Sequence, residues 1–179
     1  KLELDLVKGN ETLELSYVDP RRLGRIRFLT GEDVDTDEKL LKQEPFSKLG
    51  PDYSKNPSKG SIESKEFTYG DPDPSTHGRD RLTLEDFNEL VLAKKKPIKA
   101  LLQEQEYFAG IGNWVSDEIV YHARIHPEEV LSSKLSISDQ IDPVIERLYN
   151  SIIEVCELSV GVEGDVQKFP QNWLMLYRW

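Results

Sequence analysis

From residue 2 the chain alternates. "LELDL" sets an apolar side chain at every second position, "KGNE" turns the chain, and "TLELSYV" alternates again. Period two places the leucines on one side of a ribbon, so the pattern predicts a β-hairpin with one buried face. "DPRRLGRIRFL" follows. Asp19-Pro20 marks a turn, and Ile26 and Phe28 alternate with Arg25 and Arg27, which predicts a further strand. Residues 31–46 are acidic, with a weak helical period. Residues 51–80, rich in Pro, Gly, Ser, Asp and Lys, read as a long surface loop or linker.

At Leu82 the period changes to that of a helix. In "TLEDFNELVLAKKK", Thr83 stands as an N-cap, with Glu85 and Asp86 in the first turn. Leu84, Phe87, Leu90 and Val91 share a face, and Lys94, Lys95 and Lys96 load the C-terminal end before Pro97 breaks the helix. "IKALLQEQ" predicts a second, shorter helix and "EYFAGIG" a turn. "NWVSDEIVYHARI" predicts a third helix, with Val115, Ile119 and Ala123 at i, i+4 spacing, ended by His126-Pro127. A fourth opens on a Ser136-x-x-Asp139 capping pattern and carries Ile141, Ile145, Leu148, Ile152 and Val155 to a stop at Gly161. Strands followed by helices indicate an α+β protein.

Composition narrows the chemistry. A single cysteine, Cys156, excludes a disulfide framework and a cysteine-based zinc site in these 179 residues. Inside its apolar run it reads as a small buried hydrophobe. No apolar run approaches the roughly 20 residues that span a bilayer, and no signal peptide opens the chain, so a soluble intracellular protein is expected. The net charge of −10 repels phosphate at long range. Phosphate contacts are local, however, so the placement of the 23 basic residues matters more than their sum.

Two basic clusters stand out. Arg21, Arg22, Arg25 and Arg27 surround one turn, and Lys94, Lys95, Lys96 and Lys99 surround one helix break. Either can be a solvated face, but turns are also where binding groups are commonly placed. Between Phe108 and Trp114 runs Ala-Gly110-Ile-Gly112-Asn113. Asn113 is expected to cap the third helix, and the glycines let another chain come close. A helix N-terminus offers N–H donors that suit a phosphate. Gly-x-Gly turns before helices are also often purely structural, and Asp117 and Glu118 stand ready to use the helix dipole. Local physics leaves both readings open.

Longer motifs go further. "DPRRLG", "LGPD", "AKKKPIKALLQEQEYFAGIGNWVSDEIVYHARIHP" and "KFPQNWLMLYRW" occur in that order. Together they resemble the formamidopyrimidine-DNA glycosylase family, closest to its plant and fungal branch. The resemblance covers nearly all of the chain except about residues 31–47 and 52–80. It implies that the second and third helices form a helix–two-turns–helix element. It also implies a division into 1–50, the end of a β-sandwich catalytic domain; 51–80, a loop or linker insertion; 81–161, the DNA-binding helical domain; and 162–179, the start of a C-terminal finger that lacks zinc in that branch.

Family members are base-excision repair enzymes with glycosylase and apurinic-site lyase activity. They flip an oxidised purine, such as 8-oxoguanine or a formamidopyrimidine, out of the duplex. An N-terminal proline amine attacks the sugar, a neighbouring glutamate assists proton transfer, and the Schiff base leads to β,δ-elimination. By resemblance, Asn113 holds a DNA phosphate, Lys99 helps position the lesion nucleotide, and Gly110 and Gly112 give clearance to the backbone. Arg21 enters the gap left by the flipped base, with Arg22 beside it. Leu23 stands where many relatives carry a phenylalanine wedge, and Glu104 replaces a more usual aspartate. Glu118 is expected to support the site from behind. The catalytic Pro-Glu is expected upstream of Lys1, so no catalytic residue is assigned within this chain. No cofactor or metal is implied. The implied partner is double-stranded DNA with oxidised bases or abasic sites, bound by a monomer in the nucleus or mitochondrion. The alternatives are a non-catalytic nucleic-acid-binding module of the same helical type, and an interaction domain that has lost DNA binding.

Overall fold

The computed structural model describes residues 2–20, 24–54, 79–138 and 140–178. Arg21, Arg22 and Leu23, most of the 51–80 segment, and Asp139 lie outside the described residues. The chain divides into two compact units, Lys1–Gln43 and Glu44–Trp179.

In the first unit, β1 (Leu2–Lys8) and β2 (Glu11–Tyr17) pair antiparallel. Leu2 faces Tyr17, Leu4 faces Leu15 and Leu6 faces Leu13, so the expected apolar face forms. Among the described residues that face is not buried: Leu6 and Leu13 are 50% and 61% exposed. Nor do residues 25–28 form the further strand. Phe28 is 91% exposed, and no neighbour among the described residues pairs with this stretch. Alternation says which side chains share a face, but a strand also needs a partner for its N–H and C=O groups. The acidic stretch yields one short helix, α1 (Asp37–Leu41), capped by Thr36.

The second unit is helical. α2 (Leu84–Ala93) starts where expected, with Thr83 Oγ1 accepting from Asp86 N–H. It stops earlier than the lysine run suggests. Lys94 already has extended backbone, so Lys94, Lys95 and Lys96 form the link to α3 (Ile98–Leu102) rather than a last helical turn. Two turns then lead to α4 (Asn113–Ala123), which ends on Arg124 in the left-handed region. α5 (Pro143–Gly161) opens on Asp142, whose carboxylate accepts from Val144 N–H, with Pro143 in the first turn. The Ser136-x-x-Asp139 pattern therefore does not start it. Proline at the first helical position suits its fixed φ and missing N–H, and this favours the later start.

The predicted apolar stripes meet in one core. Phe87 and Val91 of α2, Ile119 and Ala123 of α4, and Ile145, Leu148, Ile152 and Val155 of α5 are all buried. Each fully buried aliphatic side chain contributes about 1.5–3 kcal/mol. Tyr53, in the stretch that reads as a surface loop, is instead fully buried, against Phe87, Phe108 and Tyr149. Asp52 N–H donates to Arg79 C=O at 2.9 Å, which ties the two ends of the 51–80 segment together. Phe169 and Trp173 bring residues 166–178 onto the same core.

Candidate nucleic-acid interface

The segment between α3 and α4 is shaped by two glycines and a glutamine. Gly110 has φ of 82°, a conformation that costs a side chain about 1–2 kcal/mol. Gln105 fastens this turn. Its Oε1 accepts from Gly110 N–H at 2.9 Å, and its Nε2 donates to Ile111 C=O at 2.9 Å. The backbone C=O of Gln105 accepts from Gly50 N–H at 2.7 Å. Gly50 lies so near the backbone of Glu106 and Tyr107 that a side chain there would collide with it. The "LGPD" motif is thus a seat for the turn. A side chain at Gly112, by contrast, would meet nothing of the protein within 4 Å. Internal packing does not demand a glycine there, and its absence leaves clearance on the outside.

The cap of α4 differs from expectation. Gly112 is the N-cap residue, and no side chain caps the helix. Asn113 is the first helical residue, so its side chain cannot reach the orphan amides as a cap would. Its Oδ1 instead accepts from Gln103 Nε2 at 3.3 Å. Gln103 Nε2 also donates to Ser116 Oγ at 3.1 Å, and Ser116 Oγ donates to Asn113 C=O at 2.9 Å. This arrangement turns the oxygen of Asn113 toward α3 and leaves its amide N–H groups as donors on an exposed residue. The first-turn N–H groups of α4 have no intrahelical acceptors. An anion placed here would meet these backbone donors and the positive end of the helix dipole.

The lysines differ in their partners. Lys94 Nζ donates to Tyr107 Oη at 2.8 Å, and this bond raises its pKa, so it stays cationic. Lys96 pairs with Glu104, which gives that residue a definite role in the turn. Lys99 Nζ lies 2.5 Å from Asp117 Oδ1. Lys95 is exposed. Lys99, Gly110, Gly112 and Asn113 are thus brought together on the α3–turn–α4 element. The placement of Arg21, Arg22 and Leu23 relative to it falls outside the described residues.

Glu118 and Asp117 do not serve the helix dipole, since the first turn of α4 holds no acid. Glu118 is 1% exposed. Its two carboxylate oxygens accept from Leu174 N–H at 2.8 Å and Met175 N–H at 2.9 Å, and it lies 3.0 Å from His122 Nε2. It therefore caps the short 3-10 helix Leu174–Tyr177 from the side of α4. Sequence reasoning passed over Gln103 and Gln105. The available signal was two amides in "QEQ", placed just after an apolar helix and before a glycine turn. An uncharged amide side chain carries a donor and an acceptor on separate atoms, so it can bridge a backbone N–H and a backbone C=O.

Residues 71–171 match the family profile "Formamidopyrimidine-DNA glycosylase H2TH domain". The chain is similar to a formamidopyrimidine-DNA glycosylase from Arabidopsis thaliana, 34% identical over 168 residues, covering 94% of this chain and 33% of that protein. A Rickettsia felis protein of the same name is 30% identical, covering 90% of this chain and 53% of that protein. A solved structure, a complex between the Lactococcus lactis Fpg and DNA containing an abasic site, shares 26% identity at a TM-score of 0.48. It covers 72% of this chain and 36% of that one. The chain thus spans about a third of the length of its Arabidopsis relative. With a match over more than half its residues, in the region where the turn, the open helix end and the lysines meet, the chain belongs to the formamidopyrimidine-DNA glycosylase family.

Proposed function

We propose that this chain is the DNA-holding part of a base-excision repair glycosylase that acts on oxidised purines and nicks abasic sites. The observation that carries this reading is the uncapped N-terminus of α4. Its amides are open, Asn113 is oriented by Gln103, and Gly112 leaves room for a backbone to approach. In this reading the phosphate beside the lesion sits on Asn113 and the first-turn amides, and Lys99 lies next to it. The net charge of −10 is compatible with this, because the binding groups are local. The chemistry belongs to the N-terminal proline of family members, whose amine forms a Schiff base and drives β,δ-elimination. On this function the expected site of action is the nucleus, where the protein works as a monomer on duplex DNA.

The test uses the full-length protein and a duplex with an abasic site. Asn113→Ala should weaken binding by about 1–3 kcal/mol, the scale of a hydrogen bond to a charged group, with the fold intact. Unchanged affinity in a titration would remove the phosphate role. Borohydride should trap a covalent adduct with abasic DNA. Binding without any trapped adduct would favour the non-catalytic nucleic-acid module instead.

A further inference from the structure

α3 and α4 meet along a polar seam with two rungs. Lys99 of α3 and Gln103, the residue that caps its C-terminus, are four residues apart and lie on one side, as do Asn113 and Asp117 on α4. Gln103 bonds Asn113 and Ser116 in one rung. Lys99 pairs with Asp117 in the other. The second rung has a third member. Arg178 Nη1 donates to Asp117 Oδ2 at 2.9 Å, while Lys99 Nζ lies 2.5 Å from Oδ1. One carboxylate therefore holds a cation from α3 and another from a residue 61 positions away in sequence.

The approach of Arg178 is set by buried contacts. Glu118, next to Asp117, accepts from Leu174 and Met175 N–H, and Trp173 is 1% exposed. The triad itself is neither buried nor fully open, since the side chains of Lys99, Asp117 and Arg178 are 27%, 23% and 26% exposed. Two cationic side chains thus share one carboxylate of α4. Without the carboxylate the two cations would repel each other and disperse into solvent.

We infer that Asp117 is a positioning residue. It holds Lys99 and Arg178 side by side as a paired cationic site for a DNA phosphate, adjoining the one at the α4 N-terminus. This rests on the DNA-binding reading above and adds Arg178 to the interface. It makes a claim opposite in sign to simple electrostatics. Removing a negative charge from a DNA-facing surface should tighten binding if only the summed field matters. If Asp117 positions the cations, its removal weakens binding.

The experiment titrates abasic-site duplex against the full-length protein over a range of salt concentrations, comparing the parent, Asp117→Asn, Arg178→Gln, the double variant carrying both of these changes, and Asn113→Ala. Melting temperatures are recorded for each. Asp117→Asn is expected to bind several-fold more weakly, with a log–log salt slope shallower by about 0.9 for each DNA phosphate that is no longer neutralised. Arg178→Gln should change affinity and slope in the same direction, and the double variant should be little worse than either single one, because both changes break one unit. Folded Asp117→Asn that binds as tightly as the parent, or more tightly, overturns the inference. If that variant is unfolded at the assay temperature, Arg178→Gln decides alone, and unchanged affinity and slope overturn the inference. Weaker binding in Asn113→Ala but in neither of the others sinks this inference and spares the DNA reading. A parent whose affinity does not respond to salt sinks both.

Discussion

The side-chain amide of Gln105 closes around Gly110. Its oxygen accepts Gly110 N–H and its nitrogen donates to the carbonyl of Ile111, each at 2.9 Å. A single exposed side chain thus sets the shape of the turn that presents Asn113. Gln105→Ala should cost about 0.5–1.5 kcal/mol of stability, the net worth of ordinary hydrogen bonds. Gly110→Ala should cost about 1–2 kcal/mol through its positive φ. Urea denaturation midpoints check both. Equal stability of Gln105→Ala and the parent would mean that the turn holds its shape without the clasp.

Glu118 binds two backbone N–H groups of the C-terminal segment with the two oxygens of one buried carboxylate. Glu118→Ala leaves both donors without a partner and should destabilise the helical unit by about 2–4 kcal/mol. Glu118→Gln keeps one acceptor and should cost less. Trp173 fluorescence follows the release of the segment, since that ring is buried in the parent. An unshifted Trp173 signal and an unchanged melting temperature in Glu118→Ala would contradict the role.

Tyr53 is fully buried, and its hydroxyl has no hydrogen-bond partner among the described residues. Burial pushes that hydroxyl's pKa well up. Tyr53→Phe keeps the ring contacts with Phe87 and Phe108 and removes an unpaired polar atom. It should raise stability by about 1 kcal/mol. A lower melting temperature would reveal a partner for the hydroxyl.

Cys156 reports on the same core. Burial pushes its thiol up to about 12. The thiolate is the reactive form, so iodoacetamide at pH 8 should modify the native protein slowly and the urea-unfolded chain quickly. The sign of the pH effect follows from the raised folded value. The unfolded thiol ionises first, near its ordinary value of about 8.5, so this contribution to stability is complete below that pH and is lost as pH rises toward 12. Denaturation series at pH 7 and pH 10 test the loss. Fast native alkylation would show that the α5 face carrying Cys156 opens readily.

Much of the helical unit was legible because its signals are local. Thr83 caps α2 with its own hydroxyl, and Val115, Ile119 and Ala123 share a face of α4 through spacing alone. Period and punctuation act within a turn or two, and a reader of the chain needs no other element to see them. The same local evidence overreached at Ser136, where Pro143 and Asp142 offered the better start for α5. It overreached again at residues 25–28, where alternation had no neighbour to pair with among the described residues.

The α+β character, the family and the glycine turn before α4 could all be read from the chain, since each is written in contiguous residues. The functions of individual side chains at the turn could not. Asn113 looked like a cap until Gln103 was seen to claim its oxygen, and Asp117 and Glu118 looked like dipole partners until residues 174–178 came to lie beside them. A carboxylate or an amide states what it can bond, but its partner is chosen by whichever groups packing brings within about 3 Å, and here those come from as far as 61 positions away.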